Sequence, residues 1–242
     1  AIHTCRRASQ RICLMKERKL GLLGKKVGMT TVYDDDGIAR GVTVLQLGPC
    51  VVLQKRSTET NDKGKTDGYT ALQLGFDEKP ERKINKVAAG HLKKAGGLSK
   101  ARRFVCELRV SSLSADKFEV GQSIGLADLG IKPGDKVDVA GRTIGKGFQG
   151  VVRKYSFRGF HKTHAHEVLR HGGSIGCRKF PGRVFKGQKM PGQMGAYNRT
   201  TQNIKVVQVR TDENVLLVHG SVPGAKNGYL TVRPAIKKNP LP

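Results

Sequence analysis

RTIGKGFQGVVRKYSFRGFHKTHAHEVLRHGGSIGCRKFPGRVFKGQKMPGQMGAYNR, the run from Arg142 to Arg199, decides how the rest of the chain must be read. Thirteen of its side chains are Lys or Arg, and Glu167 is its single acid. Eleven glycines punctuate it, and its apolar residues recur at neither the helical nor the strand period, so it cannot build a core of its own. A segment this long without regular structure belongs inside a compact domain only if it is functional or orders on a partner. Thirteen cations against one anion repel one another, so that partner must be a polyanion. Glycine lets backbone N–H groups approach phosphates, and Phe148, Tyr155, Phe157, Phe160, Phe180, Phe185 and Tyr197 offer faces for stacking on bases. If the run doubles back as a hairpin, each arm of about 29 residues reaches at most roughly 90–100 Å.

Outward from this run, the chain stays basic. Its 242 residues carry 45 Lys and Arg against 19 Asp and Glu, a formal charge of +26 with a pI near 10.3. The length suffices for one sizeable core or two small ones. The charge points to nucleic acid or an anionic membrane and not to an acidic small substrate. Membrane is the poorer choice, because no apolar stretch approaches the roughly 20 residues needed to span a bilayer. Cysteines 5, 13, 50, 106 and 177 are odd in number and form no Cys-x-x-Cys pair. They write neither a disulfide framework nor a zinc ribbon and fit a reducing, cytosolic compartment.

Before the run, short β-rich segments alternate with turns. Val27 to Tyr33 and Gly41 to Leu47 flank Asp34-Asp35-Asp36-Gly37, a hairpin signal. Val51 to Arg56 and Tyr69 to Phe76 form a second pair across the polar loop Ser57 to Gly68. Pro80 to Ala95, with Ile84, Val87, Ala88 and Leu92 at helical spacing and Gly96-Gly97 after it, predicts one amphipathic helix. Phe104 to Val110, Phe118 to Ile124 and Ile131 to Val139 resume the strands. After the run, Ile204 to Arg210 and Val215 to His219 pair across Thr211 to Asn214, and Tyr229 to Val232 follows Asn227-Gly228. No internal repeat is present.

The expected fold is mainly β (α+β). It consists of a small closed β-barrel domain made from 21–141 and 200–236, a short helical insertion at about 80–97, and a long irregular internal extension at 142–199. Residues 1–20 form an N-terminal extension and 237–242 a C-terminal tail. Residues 1–14 hold arginines and no acid, which fits the remnant of an organellar presequence and equally an extension ahead of Met15.

Three chemical readings of the run fail on their surroundings. Gly145-Lys146-Gly147-Phe148-Gln149-Gly150 matches G-x-G-x-x-G, but the charged, glycine-interrupted chain after it denies the parallel βαβ unit that gives this motif its meaning. His161, His164, His166 and His171, with Cys177 beyond, follow no common zinc spacing. They read instead as hydrogen-bonding and stacking groups among phosphates. Glu167 has no second carboxylate for metal-assisted phosphodiester chemistry, and no third group completes a triad with Ser156 or Ser174. No enzyme, metal or cofactor is expected.

Four ordered motifs carry a family resemblance. They are Gly24-Lys25-Lys26-Val27-Gly28-Met29-Thr30, Gly145 to Gly150, Gly173-Ser174-Ile175-Gly176, and Val184-Phe185-Lys186-Gly187-Gln188-Lys189-Met190-Pro191-Gly192-Gln193-Met194-Gly195. Together they resemble the bacterial-type large-subunit ribosomal protein L-three family, from about Leu20 to Ile236, and Leu216 to Ala225 extends the likeness. The resemblance implies a structural constituent of the large ribosomal subunit that binds 23S-type rRNA near its 3′ end. It also implies early action in assembly, neighbouring large-subunit proteins as partners, and a basic loop reaching toward the peptidyl-transferase centre, its tip around Phe157 and Ser174 to Lys179. Neither a membrane nor a small-molecule substrate is implied. The methylated glutamine of some relatives is not carried over, because Cys177-Arg178-Lys179 stands at that place.

The rRNA-binding candidates are Lys25, Lys26, Arg142, Lys146, Arg153, Lys154, Arg158, His161, Lys162, His164, His166, Arg170, His171, Arg178, Lys179, Arg183, Lys186, Lys189, Gln193 and Arg199. The expected location is a cytoplasmic ribosome, with an organellar ribosome as the alternative. A free-standing RNA chaperone is the competing functional class.

Overall fold

The computed structural model describes residues 19–34, 36–58, 67–97, 101–111, 115–164 and 167–237. The predicted N-terminal extension, most of the Ser57–Gly68 loop, His166 and the tail from Lys238 lie outside them. The chain divides into two compact units, one drawn from 1–142 and 199–242, the other from 143–198.

The first unit is mostly β with few helical turns. Its strands are β1 (Leu22–Tyr33), β2 (Ala39–Leu47), β3 (Cys50–Arg56), β4 (Ala71–Glu78), β5 (Arg102–Arg109), β6 (Ser123–Ile124), β7 (Lys136–Arg142), β10 (Asn198–Arg210), β11 (Val215–His219) and β12 (Tyr229–Pro234). Six of them follow one another in the hydrogen-bonded order β1-β12-β7-β10-β11-β2, and β2 pairs back to β1. This ring takes β1, β2 and β7 from one side of the basic run and β10 to β12 from the other.

Local chemistry explains the pairings. The Asp34–Gly37 turn closes the β1–β2 hairpin through Asp34 N–H to the Ile38 carbonyl at 3.1 Å and Gly37 N–H to the Asp34 carbonyl at 2.9 Å. Apolar residues turn inward: Leu22, Leu45, Leu47, Val137, Val139, Val206, Leu216, Val218, Leu230 and Val232 are buried in one cluster. Gly24 is glycine because β2 passes so close that a Cβ there would collide with the Gln46 carbonyl oxygen. The buried Asp138 carboxylate accepts the Asn203 N–H at 2.9 Å and the Ile236 N–H at 3.5 Å. Both of its oxygens therefore have donors, as a buried charge requires.

Two expectations need correction. The strands between Cys50 and Ile124 do not join the ring but form a separate four-stranded sheet, β5-β4-β3-β6. The reason lies in β3, whose Cys50-Val51-Val52-Leu53 is continuously apolar and not alternating. Cys50 and Val52 face the main cluster, while Val51 and Leu53 pack under Leu92, Ala95 and Ala101, so both faces of β3 are covered. Phe118–Ile124 also yields only the two-residue β6, because Gln122 N–H bonds back to Glu119 and Gly121 has a positive φ.

The single helix expected over Pro80–Ala95 is instead a 3-10 turn at Glu81–Lys83, a helix α1 at Lys86–Leu92 and a 3-10 turn at Lys93–Ala95. Ile84 is extended, and the Asn85 side chain captures the Ala88 N–H at 3.0 Å, restarting the helix there. This shifts the buried face, leaving Val87 83% exposed while Leu92 is buried.

Candidate nucleic-acid interface

The 143–198 unit holds itself together where its two ends run side by side. Thr143 N–H bonds the Tyr197 carbonyl at 3.0 Å, and Ala196 N–H returns to the Thr143 carbonyl at 3.2 Å. Lys146 N–H meets the Met194 carbonyl at 2.8 Å, and Met194 N–H meets the Gly147 carbonyl at 2.9 Å. Just beyond these bonds lie the two-residue strands β8 (Phe148–Gln149) and β9 (Gly192–Gln193), which pair antiparallel. Gly195, at φ +75°, sits so tightly against the Ile144 carbonyl that no side chain fits there. The glycines of the G-x-G-x-x-G pattern thus serve an antiparallel neck. A five-residue helix, α2 (Val151–Tyr155), does follow it, with Val151 buried, but no parallel crossover accompanies it.

Beyond the neck the candidates are displayed, not packed. Arg142, Lys146, Arg153, Arg158, His161, Lys162, His164, Arg170, His171, Arg178, Lys179, Arg183, Lys186, Lys189, Gln193 and Arg199 are exposed, and Lys154 is half-buried. Two groupings are visible within the unit. The ammonium groups of Lys154 and Lys189 lie 5.1 and 5.8 Å from the centre of the Tyr155 ring, whose face attracts cations. Arg153 donates to Gln149 Oε1 at 3.2 Å, and Gln149 in turn donates to the Lys146 carbonyl. A closed loop is also defined by Phe160 N–H to the Leu169 carbonyl at 3.1 Å, with His161, Lys162 and His164 inside it and Arg158 and Arg170 just outside. His166 belongs to this stretch of sequence but lies outside the described residues. Phe180 is 88% exposed, and Arg178, Lys179 and Arg183, also exposed, flank it in the sequence.

Charge compensation separates the two units. The ion pairs among the described residues join Arg40 to Asp34, Arg56 to Asp67 and Glu107, Arg102 to Glu78, Arg103 to Asp77, and Arg210 to Glu213, all in the β unit. Among the described residues of 143–198 no such pair occurs, and Glu167 is itself exposed. Nor do any three described His, Cys, Asp or Glu residues gather as a metal site. No described helix is long and apolar enough to cross a membrane.

Lys25 and Lys26 sit in the β unit and are half-buried. Lys26 turns its ammonium to the carbonyls of Val222 and Gly224 at 3.3 and 3.4 Å, so its charge is shared with its own chain. Sequence reasoning missed Gln149 as the link between Lys146 and Arg153. Its place in the glycine motif was the available signal.

A β unit joined to a segment of unpaired, exposed cations and open aromatic faces has the make-up of a nucleic-acid-binding protein. Residues 113–215 match the family model described as Ribosomal protein L3. The chain is 45% identical to the large ribosomal subunit protein uL3 of Desulforapulum autotrophicum over 216 residues, 89% of this chain and 99% of that one. It is 46% identical to the proteins of the same name from Geotalea daltonii and Petrotoga mobilis, each over 217 residues and 90% of this chain, covering 97% and 96% of those proteins. The chain belongs to the ribosomal protein L3 family.

Proposed function

We propose that the chain is a structural, non-enzymatic constituent of the large ribosomal subunit that binds rRNA directly through 142–199. The observation that carries this reading is thirteen cations against one acid in that run, twelve of them exposed, with no ion pair among the described residues of 143–198. Each cation beside a phosphate releases condensed counterions, and arginine adds a fork that grips two phosphate oxygens or stacks on a base. The family's assignment to the large subunit supplies the particle.

The finer reading has three parts. The six-strand ring acts as a small closed barrel that, with the separate four-stranded sheet beside it in sequence, seats the protein on rRNA near its 3′ end early in assembly. The 142–199 extension enters the RNA toward the peptidyl-transferase centre and bends it into place without doing chemistry there. Neighbouring ribosomal proteins complete the surroundings. Lys25 and the extension's exposed candidates make the phosphate and base contacts, whereas Lys26 contributes less because two of its own carbonyls already hold it.

Sedimentation tests this. The chain is expected to co-migrate with large subunits and to stay bound through a moderate salt wash, whereas a free RNA chaperone washes off as screening rises. Release at the first wash would refute the assignment to the particle.

A further inference from the structure

Strand β1 is longer than its partner β12. Their pairing runs only from Leu22 to Lys25, with one further exchange of bonds at Lys26. From Gly28 to Tyr33, β1 pairs with β2 alone. Alternation along the ladder settles which groups are left over. Because Asp34 N–H faces Ile38 across the hairpin, Val32 and Thr30 also face β2, and the N–H and C=O of Met29, Thr31 and Tyr33 point to the other edge. Among the described residues no strand covers that edge.

Beyond the register shift between Lys26 and Gly28 at its start, this edge carries little that keeps sheet edges apart. Val27-Gly28-Met29-Thr30-Thr31-Val32-Tyr33 has no charge and no proline in a chain of net charge +26. Natural edges are blunted by Lys, Pro or a bulge, and a long uncharged one is a template for another strand. Met29 and Tyr33 are 56% and 71% exposed, and Ile38 beside the turn is 55% exposed. An RNA-facing strand would carry cations. Here Lys26 is held by carbonyls of its own chain and Arg40 by Asp34, while Lys25 lies on the part of β1 that still pairs with β12. The turn that ends the edge is Asp34-Asp35-Asp36, three of the chain's 19 acids in a row, which repels phosphate and attracts a basic peptide.

We propose that the free edge of β1, Val27 to Tyr33, takes up one extended segment of a second protein as an added strand, with basic residues at the end that meets Asp36, because Asp34 already pairs with Arg40. Main-chain bonds at Met29, Thr31 and Tyr33 supply the register, and the acidic turn selects a basic partner. The inference rests on the reading of this chain as a large-subunit protein, because a ribosomal particle surrounds it with basic proteins.

The test uses large subunits assembled with the full-length chain carrying a photoreactive phenylalanine in place of Met29, and separately in place of Phe180. The Met29 label is expected to join one polypeptide at a Lys- or Arg-containing peptide. Adding Thr31→Pro, which removes an outward N–H that the hairpin does not use, should cut that adduct about tenfold, while Thr31→Ser keeps it. Adducts from Met29 to rRNA, to a second copy of this chain, or to nothing would each overturn the proposal. The Phe180 label reports on the other reading. If it joins rRNA while Met29 gives no polypeptide adduct, only the added strand is wrong; if labelled chains never enter subunits, both readings fall.

Discussion

Single residues carry two sharp expectations. Gly195 holds a positive φ against the Ile144 carbonyl, so Gly195→Ala should open the neck. Strain of this kind costs on the order of 1–3 kcal/mol. Amide exchange at Lys146 and Met194 should accelerate by a factor of ten or more, and unchanged exchange would show that the neck does not depend on this glycine. The second expectation concerns Cys50, whose thiol is pushed up from 9.0 to about 11 by burial and donates to the Leu23 carbonyl at 3.3 Å. A raised value in the folded state means that the thiol's share of stability is whole below pH 9 and is lost as pH climbs toward 11. The thermal midpoint should fall across that window, and the fall should be shallower in Cys50→Ala. An identical slope in both proteins would contradict the assignment. Part of the slope should survive in Cys50→Ala because the Tyr229 hydroxyl is also raised, chiefly by donating to Asp77 at 2.7 Å.

At the scale of elements, the distinction between α1 and its sequence expectation can be measured. Asn85→Ala should cost about 1 kcal/mol as a lost helix cap, while Val87→Lys should change stability by less than about 0.5 kcal/mol despite replacing an apolar residue. Leu45→Ala, in the ring's core, should cost about 2–5 kcal/mol. Denaturant unfolding of the three variants checks the order; a large loss at Val87 would restore the single amphipathic helix. The hairpins were legible because Asp34–Gly37 and Thr211–Asn214 are local turn chemistry between β-branched runs. The separate sheet was not, because Val51 and Leu53 give no sign in the sequence that a distant helix, at Leu92 and Ala95, covers them. In the basic run, charge and glycine content were plain, whereas the pairing of Lys154 and Lys189 on Tyr155 depends on residues 35 positions apart meeting in space. The inward turn of Lys26 was equally hidden, because its acceptors are carbonyls nearly two hundred residues away.

For the whole molecule, the division of charge is the organising fact. In the β unit, acids and bases pair and the fold can stand on its own core. In 143–198 the cations have no ion pairs among the described residues and repel each other, which on the proposed reading phosphates offset. Arg178→Ala and Arg183→Ala should therefore disturb subunit assembly, or drug response at the peptidyl-transferase centre, more than Lys83→Ala does on the β unit. Equal effects from all three would remove the special standing of the extension. The most direct measurement is limited proteolysis of the full-length chain, free and within large subunits. The free protein should be cut first within 143–198 and leave the β unit whole, and the same bonds should be protected in the particle. Resistance of 143–198 to protease in the absence of RNA would contradict the central claim.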